Sequence, residues 1–299
     1  IEFNPSLRWI DTMSELAFLI MDLEEAGERS QARRVLNRYL ELTGDYAGLQ
    51  ILDFYKVYRA MVRAMVIAIR LGQPDLGAEE ADRDRRELAG YLDLAAGYTR
   101  REPRVLLLTH GVSGSGKSRL SLTLRARLPL IHLRSDIERK RLFRMSEDTR
   151  TGAKGTGEGI YTPDATRRTY ARLRLLAGVV LDAGYSPLVD ATFLDRAERQ
   201  RFLGLARRHG VPGRLLDLRA PAPLLRERLE AREAAAKDPS EAGVGVLEHQ
   251  LATQDPLSPE ELRISLAVNT GSRRDTMALI GRLAAQLASE PITVAAGKG

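Results

Sequence analysis

Four groups of residues in this chain have the types and spacing to move a phosphoryl group. The first is Gly111-Val-Ser-Gly-Ser-Gly-Lys-Ser118, which fits G-x-x-x-x-G-K-[ST] at every fixed position. Glycines in such a loop let backbone N–H groups converge on phosphate oxygens without a Cβ in the way. Gly111, Ser113, Gly114, Ser115, Gly116, Lys117, Ser118 and Arg119 are therefore candidate nucleotide ligands. Lys117 is expected to reach the β- and γ-phosphates, and the Ser118 hydroxyl to hold Mg²⁺. The second group is Asp136 in "RSDIERKRLF", for which two readings stand. It is a carboxylate that takes the proton of an acceptor hydroxyl, or it (or Ser135) caps the helix that follows. Arg139 and Lys140, one turn on, bind the acceptor or lie exposed, and Arg139 is the better candidate.

The third group is Asp190 in "PLVDATFLDR", which ends an apolar run and suits Mg²⁺ held through water. Its neighbour is Ala191, where motor ATPases commonly carry a water-activating Glu. No "NKxD" and no "LSGGQ" occurs, so transfer to a hydroxyl gains over hydrolysis. The fourth group is Arg226, Arg228 and Arg232 in "LLRERLEAREAAAKDPSEAG". Arg228 and Arg232 are four apart and share a helix face. They belong to a lid that offsets charge on the transferring group, or to ordinary Glu–Arg pairs. Asn269 and Thr270 in "AVNTGSRRD" are candidates for the pocket of the nucleotide base.

These residues need a scaffold, and the hydrophobic pattern supplies one. Short apolar runs at Val105–Thr109, Ile131–Arg134, Pro187–Ala191, Leu215–Arg219 and Ile264–Asn269 read as strands. Helical patterns lie near 117–127, 136–143, 165–183, 196–209, 222–236 and 274–288. This alternation predicts an α/β fold with a mostly parallel sheet covered on both faces, its ligands at the carboxyl ends of the strands. The Gly/Thr-rich "MSEDTRTGAKGTGEGIYTPDATRRTY" reads as an acceptor-side loop, with Tyr161 and Arg168 as contacts, or as disordered.

Residues 1–98 read as helices only. Asp11 or Thr12 starts the first, which closes near Gly27; Ser30 caps the second, which stops at Gly44. A third runs from about Leu49 to Leu71, and "GAEEADRDRRELAGYLDLAAGY" adds a fourth. The polar stretch 99–103 is the expected linker and 291–299 a flexible tail.

Composition sets the remaining bounds. The chain of 299 residues has no cysteine, so disulfides and thiolate metal sites are excluded and a cytoplasmic setting is expected. No apolar run approaches the ~18 residues of a membrane span, and no secretory signal opens the chain. The first residue is Ile1, as in a piece of something longer. The four histidines show no metal spacing. Net charge is +6, carried mostly by Arg, since six of the 46 basic residues are Lys. That excess suits polyanionic partners, and equally suits arginines dispersed over solvated helices; charge alone does not make a nucleic-acid binder.

With "GVSGSGKS", "RSDIERK", "VDATFLDRAER", "RERLEAR" and "VNTG" in this order, residues 104–290 resemble a group of P-loop kinases. The group is that of zeta toxins, chloramphenicol phosphotransferase and the kinase domain of polynucleotide kinase. The resemblance implies a five-stranded parallel sheet of nucleoside-monophosphate-kinase type. It also implies Asp136 as general base, Asp190 as magnesium-side acid, and Arg228 or Arg232 as the lid arginine. "IEFNPSLRWIDTMSELAFLIMDLEEAG" and "YLELTGDYAGLQILDFYKVYRAMVRA" resemble the C-terminal helices of aminoglycoside-phosphotransferase-like domains. That implies a tandem bacterial fusion whose first active site would lie upstream of Ile1, leaving residues 1–98 as a remnant or docking platform. The function expected from all this is an ATP- and Mg²⁺-dependent kinase acting on a hydroxyl of a small molecule or of a nucleic-acid 5′-end. The rival is an ATP-binding regulatory protein with slow hydrolysis and a helical partner-docking region. Neither the acceptor nor the oligomeric state is legible in the sequence.

Overall fold

The computed structural model describes residues 9–100, 102–146, 149, 159–235 and 244–289. The chain divides into two compact units, Ile1–Glu102 and Pro103–Gly299. The first is all helical: α1 Thr12–Glu25, α2 Arg29–Thr43, α3 Leu49–Leu71 and α4 Ala78–Tyr98. Asp11 caps α1, its Oδ1 accepting the Met13 N–H at 2.8 Å. The second helix departs from the expected cap. It starts at Arg29 with no side-chain cap, because the chain reverses so tightly at Gly27 (φ 80°) that Ser30 already lies inside the first turn. Gly44 ends α2 in the left-handed conformation. Met21, Ala60, Ala64, Ile67, Tyr91 and Ala95 form this unit's core. A second apolar row on α3 stays exposed: Phe54, Tyr58, Met61, Met65 and Ile69.

The second unit is an α/β layer structure. Strands β1 Leu106–His110, β2 Leu130–Arg134, β3 Ser186–Asp190, β4 Gly213–Arg219 and β5 Ser265–Asn269 form one parallel sheet in the order β2-β3-β1-β4-β5. Every residue of β1 and β3 is buried, as expected of strands covered on both faces. The helices are α5 Lys117–Arg127, α6 Ser135–Leu142, α7 Pro163–Asp182, α8 Arg196–Arg208, α9 Ala222–Ala235, α10 Val244–Thr253, α11 Pro259–Arg263 and α12 Arg273–Ser289. Leu107, Leu120, Leu124, Leu188, Leu216, Val268, Leu279 and Leu283 fill one core layer. An edge-to-face aromatic chain, Tyr170–Phe193–Phe202, packs with centroids 5.3 and 5.0 Å apart.

Register brings the functional positions to one edge of the sheet. Arg134 pairs with Asp190, His110 with Asp217, and Arg219 with Asn269. The expected α/β architecture with a helical N-terminal segment is therefore observed. Helices α10 and α11 are not among those that the hydrophobic pattern predicts. No described helix is long and apolar enough to cross a membrane.

Candidate functional site

The phosphate loop runs from the end of β1 into α5. Gly114 and Gly116 sit at φ 79° and 91°, where a side chain is strained. Space forbids one as well, since a Cβ on Gly114 would lie 2.9 Å from the Leu225 carbonyl oxygen. Helix α5 begins at Lys117 with no side-chain cap and no acid in its first turn. Its N–H groups and positive dipole end suit an anion. The Lys117 ammonium donates to the carbonyls of Gly111 (2.9 Å) and Val112 (2.8 Å).

Three elements fasten this loop. The Ser113 N–H donates to Gln250 Oε1 on α10 at 2.7 Å. The Thr270 hydroxyl, just past β5, donates to the Ser115 carbonyl at 2.7 Å. Arg228 of α9 donates through Nη1 to Thr270 Oγ1 (2.9 Å) and through Nη2 to the Thr270 carbonyl (3.2 Å).

Asp190 ends β3 and is 5% exposed. Its Oδ2 lies 3.2 Å from Nε2 of His132, a fully enclosed side chain on β2. Nδ1 of the same ring lies 3.4 Å from Nη1 of Arg125 on α5. Burial works to raise the Asp190 pKa, but the His132 hydrogen bond and the positive charge of Lys117 and Arg134 outweigh it and leave the carboxyl ionised below its usual range. Burial lowers the His132 pKa, so the ring is neutral. Past Asp190 the chain is strained: Phe193 has φ 50°, rare for an aromatic residue. The Tyr170 hydroxyl accepts its N–H at 3.1 Å and Arg199 donates to its carbonyl at 3.0 Å.

Asp136 lies in the first turn of α6. The cap position belongs to Arg134, whose side chain makes no cap hydrogen bond, and Ser135 and Asp136 lie inside the first turn. Arg139 is buried, its Nη1 donating to the Ile160 carbonyl (2.9 Å) and to Thr166 Oγ1 (3.2 Å). Its guanidinium stands over the Tyr161 ring at 5.2 Å. Burial lowers the Arg139 pKa, and the negative charge of Asp136 works against it.

One cavity of about 1270 Å³ gathers most of the sequence-derived candidates. Ser113, Gly114, Gly116, Lys117, Ser118, Arg119, Asp136, Arg139, Tyr161, Asp190, Arg228 and Thr270 all line it. Gly111 and Ser115 line a smaller neighbouring cavity of about 560 Å³. Asn269 is exposed and its Oδ1 accepts the Gly271 N–H at 3.0 Å. Arg168 is exposed with its guanidinium over Phe143. Arg232 belongs to α9, but its side chain lies outside the described residues, as do 236–243 of the expected lid and 147–148 and 150–158 of the expected acceptor loop. Sequence reasoning missed His132 and Gln250. His132 had a usable signal, since it shares a strand face with position 134 by period two; Gln250 had none, because α10 itself was not foreseen.

Ser118 and Asp190 offer hard oxygen donors to the same cavity, a set that fits Mg²⁺ rather than a softer metal.

Among solved structures, the chain is similar to a gluconokinase from Sinorhizobium meliloti 1021. Identity is 20%, coverage 63% of this chain and 98% of that one, and the TM-score 0.43. It is also similar to an APS kinase from Mycobacterium tuberculosis, at 18% identity, 64% and 100% coverage, and a TM-score of 0.43. Uncharacterized proteins of Mycobacterium tuberculosis and Mycobacterium bovis are 31% identical over 196 residues, 65% of this chain and 38% of theirs. The chain thus spans well under half the length of these relatives. Residues 106–257, just over half of the chain, match the family model described as AAA domain, and the chain belongs to that family.

Proposed function

We propose that this chain is an ATP- and Mg²⁺-dependent kinase that transfers the γ-phosphoryl group to a hydroxyl of a small molecule or of a nucleic-acid 5′-end. The observation that carries this reading is the shared cavity. Lys117, Ser118 and Thr270 line it together with Asp136, Arg139 and Tyr161. Its roughly 1270 Å³ exceeds the ~300–1,000 Å³ of a typical single-ligand site and suits a nucleotide plus an acceptor.

The chemistry follows from the residues. Backbone N–H groups of the loop and the Lys117 ammonium bind the triphosphate. Ser118 would hold Mg²⁺, with Asp190 on its water shell, and the ion would offset the charge of the phosphate oxygens. Asp136 accepts the acceptor's hydroxyl proton as that oxygen bonds to the γ-phosphorus. The bond from phosphorus to the β–γ bridging oxygen breaks, and ADP leaves with the electron pair. Arg139 orients the acceptor beside Asp136. Arg228 or Arg232 offsets charge on the transferring group.

Residues 104–290 are read as a member of the zeta-toxin and chloramphenicol-phosphotransferase group, and the setting as cytoplasmic. Residues 1–98 are read as C-terminal helices of an aminoglycoside-phosphotransferase-like domain. The exposed apolar row on α3 supports this, since the body of such a domain would cover it.

The test is transfer of labelled γ-phosphate from ATP with Mg²⁺, using Lys117→Ala as control. One arm offers 5′-hydroxyl DNA and RNA oligonucleotides, and the other a pool of sugars, aminoglycosides and related hydroxyl compounds. Label in either arm supports the kinase reading and names the acceptor class. Slow ATP turnover that no acceptor raises would favour the regulatory reading instead.

A further inference from the structure

We propose that His132 is a positioning residue for Asp190, clamped by Arg125 so that it occupies one carboxylate oxygen and leaves the other to the magnesium side of the cavity. The inference rests on the kinase reading above.

Donor logic fixes the ring. A guanidinium only donates, so Arg125 Nη1 at 3.4 Å requires a lone pair on His132 Nδ1. The ring proton is then on Nε2 and is donated to Asp190 Oδ2 at 3.2 Å. Parallel register supports this arrangement. His132 pairs with Leu188, two residues before Asp190, so the ring and the carboxylate share one face of the sheet. Helix α5 packs on that face. Ser118 and Arg125 are seven residues apart on α5, two turns along one side. The helix that presents the metal-side hydroxyl therefore also carries the cation that sets the Asp190 rotamer.

The surroundings make a purely space-filling role a poor account. Leu120, Leu124, Leu128, Leu130 and Leu188 fill the same layer. Apolar side chains would avoid the cost of enclosing a cation, an imidazole and a carboxylate. Groups that fix a metal-side ligand are worth that cost.

The test compares His132→Leu, which deletes the donor, with His132→Gln, whose amide nitrogen can replace Nε2–H. Three readouts are taken on the 299-residue chain: ATP affinity in EDTA, Mn²⁺ affinity of the ATP complex by electron paramagnetic resonance, and the Mg²⁺ concentration for half-maximal transfer. His132→Leu should weaken Mn²⁺ binding and raise the Mg²⁺ requirement by about tenfold or more, the usual effect of removing a metal site's supporting hydrogen bond. Affinity for ATP in EDTA should stay close to wild type, and His132→Gln should recover most of the metal affinity. Arg125→Met provides a second route to the same shift should His132→Leu fail to fold. Equal metal affinity in wild type and the folded variants, or a Gln variant no better than Leu, would overturn the role of His132. Wild-type protein whose ATP complex takes no Mn²⁺ would overturn the kinase reading itself, a separate and visible failure.

Discussion

Thr270 donates its hydroxyl hydrogen to the carbonyl of Ser115 at 2.7 Å, tying the end of the edge strand β5 to the middle of the phosphate loop. The same oxygen accepts from Arg228 at 2.9 Å. A loop whose affinity depends on converging N–H groups needs such external fastening, because its glycines contribute no side-chain packing of their own.

Thr270→Val keeps the shape and removes both bonds. At about 1 kcal/mol net for each, ATP affinity should fall roughly 30-fold, and Thr270→Ser should restore it. Isothermal titration with ATP and Mg²⁺ reads both. Unchanged affinity for the valine variant would mean that the loop is held without Thr270.

Asp136→Asn separates chemistry from binding. The side chain stays in the first turn of α6 and keeps its size, but no longer accepts a proton. Transfer should fall by about 10²–10⁴-fold, with ATP affinity little changed. Single-turnover transfer beside equilibrium nucleotide binding distinguishes the two; full transfer would remove Asp136 as the base.

Arg228 and Arg232 should fail differently. Arg228 touches Thr270 and lies 3.4 Å from the Gly114 carbonyl, so it supports the loop. Arg228→Ala should therefore weaken ATP binding along with turnover. Arg232→Ala should leave binding near wild type and lower turnover by ~10³-fold if it delivers the charge. Measured ATP affinity and the transfer rate for each variant assign the roles. Loss of affinity with Arg232→Ala would reverse them.

How much was legible follows from what each residue's neighbours are. The strands were readable because apolar runs of five or so residues between helical patterns leave few alternatives, and α5 began where the lysine of the loop predicted. Helix α10 was not, because "VGVLEHQLAT" opens with Val-Gly and carries no cap signal. Helix α11 did have one: Ser258-Pro259 and Glu261 form a capping box. It went unread because a single turn gives no periodicity. At the site, residues adjacent in sequence to strand ends were found, while partners supplied from elsewhere, such as Gln250 to Ser113 and Arg125 to His132, depend on packing that no spacing records.

The cavity wall after Asp190 should be acid-sensitive through Glu261. Arg199 is enclosed. It donates from Nε to Glu261 Oε1 at 2.9 Å and from Nη2 to Oε2 at 3.0 Å, and it also holds the carbonyls of Phe193 and Leu194. Burial alone would raise the Glu261 pKa, but Arg199 and the Ser258 N–H outweigh it and set the value below the usual glutamate range. A carboxyl depressed on folding contributes stability at pH above its unfolded value and loses it as pH falls through the folded one. Chemical denaturation from pH 7 to pH 3 should therefore give stability that is flat near neutrality and falls below about pH 4. Glu261→Gln leaves the buried guanidinium without its counter-charge and should cost about 3 kcal/mol at pH 7. Its stability should then change less with acid than wild type does, since the group that titrates is gone. Because Arg199 also holds Phe193 at its strained φ, the variant should loosen the segment after Asp190 and lower transfer even where the chain remains folded. An acid limb of the same steepness in both proteins would assign the titration to other carboxylates and leave Glu261 a cap for α11 alone.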